Sequence, residues 1–588
     1  MLEARNRGLK YIIGMEAYVT AHKDKEKGLI RDNNHFGMYA RNDEGRKELL
    51  KLSSKSYDKA SGGFYYNPRI SVEEIFNTSD NIILTTACLG SPLWQLYKKA
   101  YTNDNKKALT QDEKDIAETQ LNEWIEFLTA NKHRVFLEVQ YHHQSEQYEY
   151  NRFLARLSLE NGIPLIAGSD THALSQEHSD ARKILLQANN ATYGNEDEFD
   201  LTFKSYDEFR QMFVEQGALT TKMIDEAINN TNVFADMIED YNVGTDNKYP
   251  RLFNNPVKLF TEEIQKGFVA RGMDKFPTEK QKIYKDRINE EFEVYKKLDA
   301  IDFMLLQKIE VNDWCKDNGI ATGYGRGSVS GSVIAYILGI TEMDAVKHKL
   351  SFGRFMNENR ISLADIDTDI DSERRHELIK HISEVSGIYF SEIITYNKMA
   401  LKQAIKDAGR GLGMESYICN EIASNCDEKS EDKTAENRYR EEYPELFKFV
   451  DIFNGVIKSV GSHPSGFVVS PIPLDENMGT MYTKESLYPV SQINMKEIDA
   501  QNYVKLDLLG LNNVTIIDKA CKIIGIPFVT PDTIDDEDMD VWRSMREDTL
   551  GVFQMESASA QQYLKLLFRD TTIEKLREGA PELKMMSL

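Results

Sequence analysis

The sequence predicts a multidomain α/β protein, and three observations carry that expectation. The chain has 588 residues, room for three to five domains at roughly 150 residues each. Residues 1 to about 235 alternate short apolar runs with long charged helical stretches, the pattern of a parallel or mixed sheet covered by helices. Further on, a Gly-rich turn, an apolar helix and an extended run with aspartate at every second position follow in close succession.

In chain order, the first strands are expected at Tyr11–Ile13, Asn81–Thr85, Val135–Val139 and Pro164–Ala167, with a charged helix over Gln111–Asn131 among them. From about 236 to 320 the sequence is mainly helical and charged. The Gly-rich turn spans 323–332, the apolar helix 333–339, and the aspartate run 365–371. Residues 411–460 are polar and helix-prone, acidic between Asp427 and Glu442, and suit a helical subdomain. Two further apolar strands follow, Gly466–Ser470 and Val504–Leu509, and helix returns from about 512. The chain opens on what reads as the end of a helix running into a strand. Its last residues follow helical sequence with no closing element, so a piece of a longer protein is expected.

Apolar residues make up 41% of the chain, enough for real cores, and the formal net charge is −23. That charge argues against nucleic-acid binding by the whole surface but leaves room for a local basic channel. The five cysteines form no CxxC pair and no even disulfide framework, which reads as reduced thiols in a cytoplasmic protein. No apolar run approaches the ~18–20 residues of a membrane-spanning helix, and the first residues lack a signal peptide's build.

The most informative stretch is Asp365-Ile366-Asp367-Thr368-Asp369-Ile370-Asp371. In an extended strand all four carboxylates share one face. Like charges so close repel, so a cation is expected among them. Neighbouring carboxylates on one face, with Cα atoms ~6.6–6.8 Å apart, suit a pair of ions ~3.5–4 Å apart, and hard oxygen donors favour Mg²⁺ or Mn²⁺. The bland alternative is an edge strand protected by charge.

Four other constellations stand beside it. Gly323-Tyr324-Gly325-Arg326-Gly327-Ser328-Val329-Ser330-Gly331-Ser332 precedes the apolar helix. It is either an ordinary turn or a phosphate loop, with free N–H groups at the helix start and Arg326 as a cation. In the strand at 504–509, Lys505 and Asp507 face opposite to Val504, Leu506 and Leu508. They are either a structural ion pair or a third metal carboxylate with a phosphate or proton partner. Lys398, Lys402, Lys406 and Arg410 recur at every fourth position, a helix stripe that either is solvated or meets a nucleic-acid backbone. Arg354 and Arg360 are further phosphate candidates. Near the N-terminus, Glu16, His35, Cys88, Asp170 and His172 sit at the ends of expected strands, as structural residues or as a metal set.

Taken in order, these motifs resemble the α subunits of bacterial DNA polymerase III, the C-family replicative polymerases. The matching stretches are Gly325–Ser332, Arg354–Asn357, Asp365–Asp369, His463–Gly466, Val504–Leu511 and Gly551–Ser557. The resemblance covers nearly the whole chain. It implies a PHP-like (β/α) domain over 1–235, a palm of the polymerase β nucleotidyltransferase type over 236–400 and 461–511, a helical thumb over 401–460, and the start of helical fingers over 512–588. It implies DNA-directed DNA synthesis in replication, with two Mg²⁺ ions held by Asp367, Asp369 and Asp507 and with Lys505 beside them. Asp365 and Asp371 then serve as supporting charge. It further implies nucleotide binding by Gly325, Arg326, Gly327, Ser328, Gly331, Ser332, Arg354 and Arg360, and DNA contact by Lys398, Lys402, Lys406, Arg410 and His463.

The implied partners are primer-template DNA, deoxynucleoside triphosphates, a sliding clamp and replisome subunits. A second polypeptide or missing segment is expected to supply the remaining fingers. The family's early PHP histidine motifs do not occur in this sequence. Glu16, His35, Cys88, Asp170 and His172 therefore make an incomplete site, for which zinc or manganese is the candidate ion. Weak or absent synthesis is expected from the chain alone. The alternatives are a PHP-type metal-dependent phosphoesterase or 3′-5′ exonuclease, and a non-catalytic split or remnant fragment.

Overall fold

The computed structural model describes residues 2–102, 109–191, 199–357, 366–535, 538, 540–541, 544–545 and 548–567. The chain divides into two compact units.

The first unit comprises Met1–Val243, Thr395–Gly461 and Asp475–Glu485. Its sheet is built from β1 (Gly14–Thr20), β2 (Asn34–Ala40), β3 (Ile70–Ser71), β4 (Ile82–Thr85), β5 (Val135–Gln140) and β6 (Leu165–Gly168), in the order β3-β1-β2-β4-β5-β6. β1–β2 and β2–β4 pair antiparallel, and β3–β1, β4–β5 and β5–β6 pair parallel, so the sheet is mixed. The helix Gln111–Ala130 covers it. A Thr110/Glu113 capping box starts this helix, and Ala117, Leu121, Trp124 and Leu128 are its buried stripe.

Two sequence expectations are corrected here. The first strand begins at Gly14, not Tyr11, because Tyr11 packs edge-on against Tyr241 instead of joining the ladder. β2 has no counterpart among the expected strands. It carries Gly37 at its centre, where a Cβ would collide with the Thr85 hydroxyl of the next strand, and an internal glycine weakens a strand signal.

Four helices of the same unit, Leu401–Gly411, Ser416–Asn425, Thr434–Glu442 and Pro444–Phe453, share a core that includes Ala404, Ile405, Ile422, Phe447 and Val450. Lys402, Lys406 and Arg410 are exposed along the first of them, on the side opposite buried Leu401, Ala404, Ile405 and Ala408. Lys398 is not on that helix. It ends a strand, Tyr389–Lys398, and the helix begins only at Leu401.

The second unit comprises Gly244–Ile394, Ser462–Leu474 and Ser486–Leu588. Its sheet takes in β7 (Asp367–Asp371), β8 (Tyr389–Lys398, up to Ile394), β9 (Ile457–Ser470, from Ser462), β10 (Val490–Asn494) and β11 (Val504–Leu511), in the order β10-β8-β9-β11-β7. β11 runs antiparallel to β9 and parallel to β7. One face of this sheet buries Ile370, Leu506 and Leu508 in a core shared with the helices Thr278–Lys297, Ile301–Leu306 and Val333–Ile337.

Candidate active site

The alternation in the aspartate run is realised in β7. Ile370 enters the core, and Thr368 accepts a hydrogen bond from Gln307 Nε2 at 2.8 Å in a buried site. Asp367, Asp369 and Asp371 therefore take the other face. Asp365 and Arg360 lie outside the described residues. Parallel pairing places Asp507 of β11 directly beside Asp367, so both carboxylates project from the same face. Gly466 of β9 neighbours Asp507. A Cβ at Gly466 would come within 3.0 Å of His463 Nδ1 and 3.3 Å of Asp507 Oδ1, so a side chain there would crowd both.

The Gly-rich turn closes over this face. The Gly323 N–H donates to the Asp369 carbonyl at 2.8 Å, and Arg326 forms a bridge with Asp367. Gly325 has φ +102° and Gly327 φ +78°, values that favour glycine. The Arg326 guanidinium lies between two carboxylates: Nε donates to Asp369 Oδ1 at 3.2 Å, and Nη2 stands 3.4 Å from Asp367 Oδ1. Burial pushes the Asp369 carboxyl above its ordinary range, Arg326 pulls it back, and Asp367 adds repulsion.

Three residues have local roles that the sequence does not announce. Asp371 is buried, and its Oδ1 accepts from the Thr515 hydroxyl at 2.7 Å and the Glu373 N–H at 3.0 Å. Lys505 pairs with Asp499 at 3.0 Å. His463 Nδ1 accepts from the Gly466 N–H at 2.9 Å, and burial first, then Lys505, lowers its basicity.

The expected anion site at the helix start is corrected. The helix is short, Val333–Ile337, and its leading N–H groups are taken. Val333 and Ile334 N–H donate to the buried Glu291 carboxylate at 3.0 Å each, and Ala335 N–H donates to the Ser332 hydroxyl at 3.0 Å. Ser332, also buried, donates to Glu291 at 2.7 Å and is hydrogen-bonded to the Tyr295 hydroxyl at 2.7 Å. Arg287 completes the set, bonding Glu291 at 2.7 Å and the Gly331 carbonyl at 3.0 Å. Arg287, Glu291 and Tyr295 fall at i, i+4 and i+8 of one helix, so they share a face. Gly331 and Ser332 anchor the loop, and Gly327 and Ser328 are its exposed members; Arg354, also exposed, lies outside it on the short turn Phe352–Arg354.

In the first unit, His35 Nδ1 stands 3.0 Å from Glu16 Oε1 and 3.3 Å from Cys88 Sγ. Among the described residues this is the one group of three whose ligand atoms all lie within 4.8 Å of one another. The Cys88 sulfur, then the Glu16 carboxylate, raise the His35 pKa to about 10 against the opposing effect of burial. Glu16, Cys88, Asp170 and His172 line a cavity of about 420 Å³. Glu138 lines it too, a half-buried carboxylate whose pKa burial raises, bonded to Thr85 and Gln140. Its sequence signal was a lone acid inside an apolar strand.

Comparison with known proteins accords with this geometry. Residues 258–510 match the model of the bacterial DNA polymerase III alpha NTPase domain, residues 1–142 the PHP domain, and residues 513–574 the bacterial DNA polymerase III alpha subunit finger domain. The DNA polymerase III subunit alpha of Campylobacter jejuni is 28% identical over 94% of this chain and 49% of the relative. That of Aquifex aeolicus is 28% identical over 96% and 52%, and that of Borreliella burgdorferi 29% over 96% and 49%. The chain belongs to the bacterial DNA polymerase III α-subunit family and spans about half the length of the curated relatives it matches.

Proposed function

We propose that this chain carries the catalytic centre of a replicative DNA polymerase, joining deoxynucleotides to a primer 3′-hydroxyl under template control. The observation that carries the reading is the register that sets Asp507 beside Asp367 on the face that also bears Asp369. The donor set fits divalent cations: three hard carboxylates, two of which, Asp367 and Asp369, are paired with Arg326. Mg²⁺ is the proposed ion, held by Asp367, Asp369 and Asp507. Bound there, the ions supply acidification of the primer hydroxyl and neutralisation of the leaving pyrophosphate.

The chain's own residues do the rest by positioning. β7 and β11 fix the carboxylates on adjacent strands, and Gly466 leaves room beside Asp507. The exposed turn at Gly327 and Ser328, with Arg326 and Arg354, receives the triphosphate. Lys402, Lys406 and Arg410 meet the DNA backbone. Template pairing selects the base. The partners follow from this reading: primer-template DNA, nucleoside triphosphates, replisome subunits and a fingers-bearing polypeptide. No helix among the described residues is long and apolar enough to cross a membrane, and a cytoplasmic location accompanies the proposal.

Primer extension with Mg²⁺, with and without a fingers-bearing segment from a longer relative, tests it. Extension is expected with the segment and is lost in Asp367→Asn. Extension untouched by that substitution would overturn the metal assignment.

A second reading, a metal-dependent phosphoesterase in the first unit, is favoured by the Glu16–His35–Cys88 cluster. Imidazole and thiolate suit Zn²⁺, and carboxylate also admits Mn²⁺. Release of nucleotides from a 3′ end that depends on Asp170 would support it.

A further inference from the structure

Arg326 is asked to serve two ligands. As a triphosphate contact it must face the nucleotide, yet its guanidinium is engaged with Asp369 and Asp367. That engagement is incomplete. Nη2 is buried and has no hydrogen-bond partner among the described residues, and the one hydrogen bond that Arg326 donates to these two carboxylates runs from Nε to Asp369. A guanidinium is satisfied best by paired, coplanar bonds to an oxyanion. It cannot shed its charge, so it repels any cation entering between the two aspartates. Both sides of Arg326 are glycines at positive φ, and Gly327 and Ser328 beyond it are exposed.

We infer that Arg326 is an exchange residue: it holds Asp367 and Asp369 in place of metal ions, and it leaves them for the triphosphate when the ions bind. The inference rests on the reading that these aspartates hold divalent ions. It makes ion binding and triphosphate binding mutually favourable, because each removes the arginine's competing partner. Such coupling is reciprocal. Before the ions arrive Arg326 is a positioning residue, keeping two repelling carboxylates in register.

The test is Mn²⁺ affinity measured by electron paramagnetic resonance on the 588-residue chain. A His35→Ala/Cys88→Ser background silences the cluster in the first unit. Without nucleotide, Arg326→Gln is expected to bind Mn²⁺ about fivefold or more tightly than its parent, at the lower end of usual coupling. Arg326→Lys, which keeps the charge, is expected to stay near the parent. Tripolyphosphate binding at saturating Mg²⁺ is expected to weaken about fivefold or more in Arg326→Gln, so that one variant shifts the two affinities in opposite directions.

Mn²⁺ affinity that is unchanged or weaker in Arg326→Gln overturns the exchange. So does tripolyphosphate binding that does not weaken. If Asp367→Asn leaves the parent's Mn²⁺ affinity unchanged, the metal reading itself fails. If Asp367→Asn weakens it but Arg326→Gln does not tighten it, the exchange alone fails.

Discussion

Replacing Glu291 with glutamine is the sharpest probe of how the loop is held. The carboxylate is fully buried and accepts from Ser332 at 2.7 Å, Val333 and Ile334 at 3.0 Å, and Arg287 at 2.7 Å. Glutamine keeps the shape but turns one acceptor into a donor facing the helix N–H groups. Hydrogen bonds to a charged group contribute about 1.5–3 kcal/mol each, and a buried donor left without a partner costs about 1–3 kcal/mol. Losing one acceptor oxygen therefore destabilises the loop locally by about 3 kcal/mol. Amide hydrogen exchange reads this directly, and it avoids the two-state assumption that a multidomain chain violates. At about 1.4 kcal/mol per tenfold, the Val333 and Ile334 amides are expected to exchange about a hundredfold faster in Glu291→Gln. Exchange within about twofold of the parent would refute the argument that this carboxylate caps the helix and fixes the Gly-Ser loop.

Two further outcomes are expected. Burial lowers the His142 pKa from 6.5 to about 4, so below pH 6.5 the unfolded chain binds the proton that the folded chain refuses. Stability of the first unit therefore falls as pH drops from 6.5 toward 4, by about 3 kcal/mol at full effect. Denaturant titrations at pH 7 and pH 4.5 should show the loss in the parent and a smaller loss in His142→Gln. The fully buried Asp407 carboxylate accepts from Lys458 at 2.5 Å and Gln403 at 2.9 Å, and it forms an ion pair with Arg410 at 3.2 Å. Both cations are partly exposed, so Asp407→Asn should cost about 2 kcal/mol rather than a full buried pair. Amides of Leu401–Gly411 should then exchange about thirtyfold faster.

The strand of alternating aspartates was legible because a period of two is a local property, and one apolar face settles it: Ile370 faces the core, so Asp369 cannot. The same logic oriented Lys505 and Asp507 in β11, whose odd and even positions differ in burial. Register is not local. Nothing in the sequence fixes Asp507 opposite Asp367 rather than opposite Asp369, and the parallel pairing of β7 with β11 decides it. Glu291 was hidden because its helix reads as solvated, and its burial exists only once the short helix at Val333 docks on it. Asp371 looked like its neighbours but is consumed by Thr515, a partner far along the chain. Lys398 kept the helical spacing of the basic stripe while belonging to a strand. Spacing alone could not reveal where the helix begins.

The central claim is that Asp369 binds catalytic ions while Asp371, on the same strand face, only braces a turn. Single-nucleotide incorporation, assayed with a fingers-bearing segment present, separates the two. Asp369→Asn is expected to lose about a thousandfold, the equivalent of about 4 kcal/mol of transition-state stabilisation. Asp371→Asn should stay within about tenfold of the parent. Equal losses in the two variants, or an Asp369→Asn chain that retains activity, would contradict the account.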